Sequence, residues 1–283
     1  MARILRGAGD AAPGAPHVTL VPDDRGGVTI VLDGSPQSHV QPGDPGLLVF
    51  EYVQHLALVL DTLRSGPLAV THVGGAGMTL PRYVEHTRPG SPQIVLEPDA
   101  ELTELVRREL PLPRRHHIRV RPVDGLTGTA ALADISADAL VVDAYALGRV
   151  PAELTTVEYL RDVARVLRPG GVILLNLTDE PGMRYVTRVL ASIRQTESFG
   201  SLALVATHDV LKGRRFGNVV VAASSGGELD VAALARSVAR ASFPTGVRSG
   251  ADVIRMARSG RPFTNGDRGP SPVPPDPGQW RVR

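Results

Sequence analysis

A short apolar run followed at once by glycines constrains this chain more than any other feature. Residues 68–73, Leu-Ala-Val-Thr-His-Val, lie between Gly66-Pro67 and Gly74-Gly75, and residues 78–86 then have the spacing of a helix. This order predicts a buried strand, a glycine turn and a helix. Glycine lets the backbone approach a ligand closely, and the first turn of a helix presents free N–H groups. The unit can therefore cradle a nucleotide.

An acidic residue further along the chain supports this interpretation. A second predicted strand, residues 93–96, ends at Glu97, which lies 23 residues after Gly74. In dinucleotide-binding folds, an acid about 20 residues beyond the glycines holds the ribose hydroxyls. Gly74, Gly75 and Gly77 do not reproduce the G-x-G-x-x-G pattern, so the loop alone fits a tight turn equally well. Glu97 favours the ligand cradle.

Composition and charge exclude several classes of protein. Of the 283 residues, 42% are hydrophobic and 21% are charged, which is typical of a globular chain. No apolar stretch approaches the roughly 18 residues of a membrane span, and the first residues lack the apolar core of a signal peptide. We therefore expect a cytoplasmic protein that does not bind a membrane. The net charge of +2 gives little reason to expect nucleic-acid binding. Without cysteine, disulfides and thiolate sites are excluded.

Alternating strand and helix patterns predict a mainly parallel sheet with right-handed crossovers, closed by an antiparallel hairpin. The seven predicted strands of this sheet are residues 68–73, 93–96, 118–120, 139–142, 172–175, 202–207 and 218–223. Two earlier runs, 17–21 and 28–33, predict a separate β-hairpin, followed by a polar loop at 33–39. The predicted divisions are a disordered N-terminus (1–16), an N-terminal β-hairpin unit with a linking helix (17–63), a Rossmann-like nucleoside-binding catalytic domain (64–258) and an extended Pro/Gly-rich tail (259–283).

Chemistry-bearing residues follow four successive strands of the predicted sheet. Because ligands of open α/β sheets bind beyond the carboxyl ends of the strands, we expect the 74–77 loop, Glu97, Asp124 and Asp143 at one edge. Each acid alone is explained equally well as a helix cap or a solvated turn. Together they suit an adenosine, with Glu97 at the ribose, Asp124 at the adenine amine and Asp143 at the reacting end.

The combined motifs resemble the spermidine synthase (polyamine aminopropyltransferase) family, whose catalytic domain has the class I methyltransferase fold. The resemblance covers about residues 28–223. Its motifs are Leu32-Asp33-Gly34 with Gln37, Phe50-Glu51-Tyr52, the glycine cradle with Arg82, Glu97 with Asp99, Asp124-Gly125, Asp143, and Tyr159 with the run from Leu167 to Gly171. We therefore predict an α/β, class I methyltransferase-like (Rossmann-like) fold with a mainly parallel seven-stranded sheet and a small N-terminal β-hairpin unit.

The resemblance also implies a role for individual residues. Asp143 matches the family's catalytic aspartate, on a loop that closes over the site, and Tyr145 is its candidate helper. The expected co-substrate is decarboxylated S-adenosylmethionine or S-adenosylmethionine itself. No tightly bound cofactor and no metal are expected, and the expected partners are a polyamine acceptor and a second copy of the chain as a homodimer. The residues expected to contact the nucleoside donor are Gln37, Gly74, Gly75, Gly77, Glu97, Asp124 and Gly125.

The amine half of the predicted site departs from the family pattern. Gly77 stands where the family usually has an aspartate that holds the aminopropyl amine, and Ala146 stands where it usually has a second acid. Val53-Gln54 replaces a polar-acidic pair after Tyr52. A polyamine is multiply charged, and burying it requires carboxylates, so the amine pocket is depleted. Three hypotheses stay open: aminopropyl transfer, methyl transfer from S-adenosylmethionine, and a non-catalytic nucleoside-binding or assembly protein.

Overall fold

The computed structural model describes residues 5–6 and 18–275. A small antiparallel sheet comes first, in the order β1-β2-β3-β4. Its strands are β1 (Leu5–Arg6), β2 (Val18–Pro22), β3 (Val28–Leu32) and β4 (Ser35–Val40). The predicted hairpin is present as β2 and β3. Residues 35–40, however, form a third full strand, so the predicted polar loop is wrong there. The predicted disorder of residues 1–16 lies outside the described residues except for β1.

The second sheet is larger and carries the candidate site. Its eight strands have the order β12-β10-β11-β9-β8-β5-β6-β7. They are β5 (Val70–Val73), β6 (Gln93–Leu96), β7 (Ile118–Arg121), β8 (Ala137–Val142), β9 (Leu167–Asp179), β10 (Phe199–Thr207), β11 (Gly217–Ser225) and β12 (Thr245–Ser249). Strands β7, β6, β5, β8 and β9 are parallel, and β11, β10 and β12 add antiparallel pairs. The predicted α/β, class I methyltransferase-like architecture is confirmed.

The sheet has one strand more than predicted. The eighth, β12, pairs antiparallel with β10 at the edge, with Val205 opposite Val247. Its sequence, Thr-Gly-Val-Arg-Ser, has one strongly apolar residue and a glycine, so its pattern alone does not predict a strand. Pairing with the free edge of β10 satisfies its backbone hydrogen bonds. The count of seven strands is therefore corrected to eight.

Helices cover both faces of the large sheet. They are α1 (Glu51–Leu60), α2 (Thr79–Thr87), α3 (Ala100–Glu109), α4 (Gly125–Ala130), α5 (Val157–Val166), α6 (Arg184–Gln195), α7 (His208–Leu211), α8 (Val231–Val238) and α9 (Ala251–Ser259), with a 3-10 turn at Ala152–Thr155. Alternate residues of the central strands point to opposite faces. Leu140 and Ile173 join the core beneath α5 and α6, whereas Val141 and Leu174 join the core beneath α1 and α2. None of the helices in the described ranges is long and apolar enough to span a bilayer.

The small sheet packs against the loop and helix that follow the glycines. Ile30 of β3 and Val40 of β4 share a core with Met78, directly before α2, and with Val106 of α3. All four side chains are almost completely buried. This packing fixes the small sheet next to the glycine loop.

The C-terminal segment packs against the large domain, in contrast to the extended tail that its composition predicts. Phe263 is 2% exposed. Its ring lies 5.4 Å from the ring of Tyr185, and the guanidinium of Arg188 lies 3.9 Å from its centroid. Ser271 is completely buried. The predicted extended tail is therefore a packed segment over residues 259–275, and residues 276–283 lie outside the described residues.

Candidate functional site

The parallel strands bring the predicted site residues to one edge of the large sheet. Strands β8, β5, β6 and β7 are neighbours in that order. The residues that follow them therefore lie along the edge in the order Asp143, Gly74, Glu97 and Asp124. The backbone at Gly74 lies directly against the backbone at Asp143. A Cβ atom there would lie 2.2 Å from the backbone oxygen of Asp143, and its φ of 86° is left-handed. Glycine is required at this crossing.

Glu97 is bound to the glycine loop itself. Its Oε2 accepts hydrogen bonds from the backbone N–H groups of Gly75, at 2.9 Å, and Ala76, at 3.2 Å. Its Oε1 accepts one from Asp99 N, at 3.1 Å. A carboxylate has about four acceptor positions, two on each oxygen, so one position remains, on Oε1, for a ligand hydroxyl. Glu97 thus holds the loop in place while keeping one acceptor position for a ligand.

Gly77 faces the small sheet. A Cβ atom at this position would lie 2.7 Å from Ile30 Cδ1, 2.8 Å from Ser38 Oγ and 2.9 Å from Val40 Cγ2. Such distances are shorter than van der Waals contact, so a side chain here would displace these side chains of β3 and β4. The glycine is explained by packing, and an aspartate at residue 77 would have no space in this arrangement.

Arg82 supports the same loop from within the protein. Its buried guanidinium donates to the carbonyl oxygens of Gly77, Leu110 and Pro111. Burial lowers the pKa of Arg82 to about 10. It therefore remains positively charged at neutral pH. The motif arginine joins the glycine loop to the end of α3.

Asp124 and Gly125 lie at the far end of the edge. The exposed carboxylate of Asp124 accepts a hydrogen bond from Thr127 N at 2.8 Å and caps α4. This bond lowers the pKa of Asp124. A Cβ atom on Gly125 would lie 2.2 Å from Val73 Cγ1, so α4 begins close against the end of β5. Asp124 is a helix cap in this structure, and its contact with adenine stays a prediction.

Asp143 belongs to a network of hydrogen bonds at the end of β8. We call Asp143, Tyr145, Asn176 and Asn218 the Asp143 network. Asn176 Nδ2 donates to Asp143 Oδ1 at 2.8 Å, and Asn218 Nδ2 donates to Asn176 Oδ1 at 3.0 Å. Burial raises the pKa of Asp143 to about 6, although the hydrogen bond from Asn176 acts in the opposite direction. A carboxylate with such a pKa can exchange a proton close to neutral pH.

Two tyrosines border this carboxylate. The hydroxyl of Tyr145 donates to Asn176 O at 3.1 Å and accepts from Asn218 at 3.3 Å. The hydroxyl of Tyr52, from α1, donates to Gln37 O at 3.2 Å. Burial, followed by the charge of Asp143, raises the pKa of both tyrosines well above the ordinary value of 10.0. Both are neutral at physiological pH, and the hydrogen bond of Tyr52 joins α1 to Gln37 of β4.

The loop after Asp143 turns sharply and is held by the C-terminal segment. Ala146 and Arg149 exchange backbone hydrogen bonds around Leu147, which is 97% exposed. At the base of this turn, Val150 N donates to Ser271 Oγ at 2.9 Å, and Arg149 Nε donates to Ser271 O at 2.5 Å. Thr178 Oγ1, near the end of β9, also donates to Ser271 Oγ. The C-terminal segment therefore braces the loop that carries Asp143 and Tyr145.

Three residues of this site have no role in the predictions from the sequence. Tyr52 belongs to a family motif but has no predicted role, and Asn176 and Asn218 belong to none of the motifs. Asn176 was detectable as an amide inside the otherwise apolar run 172–177. Such a buried polar group requires a hydrogen-bonding partner. Its partner was not detectable, because Asn218 reaches it through the pairing of β11 with β9.

Comparisons with known proteins agree with this geometry. No family model and no curated protein sequence matches the chain. Among solved structures, a probable spermidine synthase from Corynebacterium glutamicum is 27% identical, with a TM-score of 0.82, and the match covers 94% of this chain and 97% of that one.

Two more distant structures share the fold. A spermidine synthase in complex with the transition-state analogue AdoDATO is 18% identical, with a TM-score of 0.55 and coverage of 84% and 78%. Human methyltransferase-like protein 13, in complex with SAH, is 21% identical, with a TM-score of 0.55 and coverage of 74% and 93%. The sheet order, the glycine loop with Glu97, and these structural matches together establish that the chain has a spermidine synthase-like fold of the kind found in S-adenosylmethionine-related transferases.

Proposed function

We propose that this protein transfers an aminopropyl group from decarboxylated S-adenosylmethionine to an amine acceptor. The observation that carries the proposal is Asp143, a half-buried carboxylate with a pKa of about 6, next to the glycine loop and Glu97. The similarity to the probable spermidine synthase, over 94% of the chain, supports the same assignment. Homodimer formation and cytoplasmic residence stay predictions from the sequence.

The proposed reaction needs a base and no metal-bound group. An acceptor ammonium first gives a proton to the ionised Asp143. The freed nitrogen lone pair then attacks the methylene carbon beside the donor's sulfonium, a C–N bond forms, and the C–S bond breaks. Its electron pair returns to sulfur, which leaves as the neutral thioether methylthioadenosine. Asp143 orients the nitrogen and removes its proton, while Glu97 and the glycine loop hold the nucleoside.

The acceptor is proposed to carry fewer charges than the usual polyamine. The groups around Asp143 are the neutral side chains of Asn176, Asn218, Tyr52 and Tyr145. Since a buried ammonium group requires a carboxylate or several hydrogen-bond acceptors, this environment suits one amine better than two.

A methyltransferase that uses S-adenosylmethionine is the second candidate. Gly77 favours it, because packing against Ile30, Ser38 and Val40 leaves no space there for an acid that would repel the donor's carboxylate. Human methyltransferase-like protein 13 has the same fold. The two candidates differ in the donor that they select.

Calorimetric titration distinguishes these functions. The purified protein would be titrated with S-adenosylmethionine, its decarboxylated form and methylthioadenosine. We expect the decarboxylated donor to bind more tightly than S-adenosylmethionine. The reverse order would contradict aminopropyl transfer and favour methyl transfer. Failure to bind any of the three nucleosides would leave a non-catalytic assembly protein of the same fold.

Substitution of the proposed base tests the reaction directly. Asp143→Asn keeps the size of the side chain and its hydrogen-bonding oxygen but removes the charge. We expect it to lower the rate of aminopropyl transfer to a mono- or diamine by about 10²–10⁴-fold and to leave methylthioadenosine affinity within a few-fold. An unchanged rate would exclude Asp143 as the base.

A further inference from the structure

The two asparagines of the Asp143 network are joined in a fixed order. Asn218 Nδ2 donates both to Asn176 Oδ1, at 3.0 Å, and to the hydroxyl of Tyr145, at 3.3 Å. Because Asn176 Oδ1 is the acceptor in this contact, the Nδ2 group of the same amide points to Asp143. Reversal of the Asn176 amide would place its oxygen against the carboxylate and its NH₂ group against that of Asn218. Both contacts would then be lost.

The packing around Asn176 strengthens this constraint. Asn176 is 1% exposed, near the C-terminal end of β9, so water does not replace a lost partner. Asn218 lies near the start of β11, which runs antiparallel to β9 and pairs Val220 with Asn176. Adjacent strands of the sheet therefore hold both amides. The backbone leaves little freedom for either to move.

The arrangement also distinguishes the two oxygens of Asp143. Oδ1 accepts the hydrogen bond from Asn176. In the described part of the chain, no hydrogen bond to Oδ2 is present, so this oxygen is available for a substrate proton. Tyr52 of α1 and Tyr145 are the titratable groups that face the carboxylate, and both are neutral near pH 7 because burial raises the pKa of each.

We propose that Asn218 and Asn176 are positioning residues for Asp143: Asn218 fixes the Asn176 amide so that it donates to Oδ1 and leaves Oδ2 as the basic oxygen. This inference rests on the proposed function only for the use of that base. The orientation of the amides is a property of the free protein. Neither asparagine is proposed to contact the reacting atoms.

The test is the pKa of Asp143, measured by NMR from the pH titration of its carboxyl carbon in aspartate-labelled protein. The carboxyl resonance of Asp143 is assigned as the one that is missing from the spectrum of the Asp143→Asn variant. Asn218→Asp keeps the shape of the side chain but replaces the donor with an acceptor and adds a negative charge. We expect the pKa of Asp143 to rise by about one pH unit or more in this variant. Asn218→Ala removes the partner without adding charge and should raise it by a smaller amount.

Ser224→Ala is the matched control. Ser224 lies on the same strand as Asn218 and is equally part of the sheet, and its buried hydroxyl has no hydrogen-bonding partner in the described chain. We expect its removal to leave the pKa of Asp143 unchanged. Thermal unfolding of each variant checks that the fold is retained, and because Asn218 is only half-buried, its substitution should be tolerated.

The outcomes separate this inference from the proposed function. A pKa of Asp143 that stays at the wild-type value in both Asn218 variants would overturn the positioning role, even if aminopropyl transfer were established. A rise in both variants, with no change in Ser224→Ala, would support it even if the protein transferred a methyl group or nothing at all, since no substrate enters the measurement.

Discussion

Asp143→Asn should stabilise the protein at neutral pH although it removes the proposed base. Burial raises the pKa of Asp143 from 3.8 to about 6 in the folded chain. Each pKa unit corresponds to about 1.4 kcal/mol, so keeping this carboxylate ionised in the folded state costs about 3 kcal/mol at pH 7.5. Asparagine avoids this cost, and its oxygen can still accept the hydrogen bond from Asn176.

The direction of the pH dependence follows from the raised pKa. Below pH 3.8 the carboxyl is protonated in both the folded and the unfolded chain, and its ionisation costs the wild type nothing. As pH rises from about 4 to about 6, the unfolded chain releases the proton more readily than the folded chain, so wild-type stability falls relative to the variant. Above about pH 7 the difference is constant. The stabilisation by Asp143→Asn should therefore be large at pH 7.5 and small at pH 4.

Thermal unfolding of both proteins at pH 7.5 and pH 4 measures this difference. At pH 7.5 we expect the variant to have a Tm higher by about 6–12 °C, since 1 kcal/mol shifts the Tm of a chain of this size by about 2–4 °C. Asp124→Asn is the control, because Asp124 is exposed and its pKa is lowered by its cap. It should not stabilise the protein at either pH. Equal stability of wild type and Asp143→Asn at pH 7.5 would refute a raised pKa and weaken the case for a base.

Three further predictions follow from the structure. Glu97→Ala should weaken methylthioadenosine binding by about 1.5–3 kcal/mol, about 10- to 100-fold in Kd, because hydrogen bonds to a charged group are lost. An unchanged Kd in calorimetry would show that Glu97 is not part of the site. Gly77→Asp should lower the Tm and leave putrescine affinity no better, since the side chain would meet Ile30 and Val40; tighter putrescine binding would contradict this packing. Phe263→Ala should lower the free energy of unfolding, measured in urea, by about 3–5 kcal/mol, as for other buried aromatics. A loss below about 1 kcal/mol would show that the C-terminal segment does not contribute to the core.

Prediction from the sequence worked best where chain order and local pattern carry the information. In a parallel β-α-β unit each strand ends at the same edge of the sheet. Gly74, Glu97, Asp124 and Asp143 could therefore be expected at one edge from their positions after successive apolar runs. The structure has all four at that edge, in the order that the strand order dictates. The fold class was predictable for the same reason.

Composition was a poor guide to the C-terminal segment. Its many prolines and glycines suggest an extended chain, because such segments bury little apolar area on average. Phe263 nonetheless packs against the ring of Tyr185. Ser271 is hydrogen-bonded to Arg149, at the base of the loop that carries Asp143. A single buried aromatic ring and a few backbone hydrogen bonds suffice to hold an extended segment in place, and these partners are distant in sequence.

The sequence by itself determined the class of fold, the edge of the sheet at which a ligand is expected, and the identity of Asp143 as the candidate base. Only the tertiary structure decided how that base is held. Asn218 meets Asn176 because β11 runs antiparallel beside β9, and Gly77 lacks a side chain because β3 and β4 pack onto it. These contacts join residues 37 to 47 positions apart in the chain. Local spacing cannot encode them, since they arise from strand pairing and from the packing of one sheet on another.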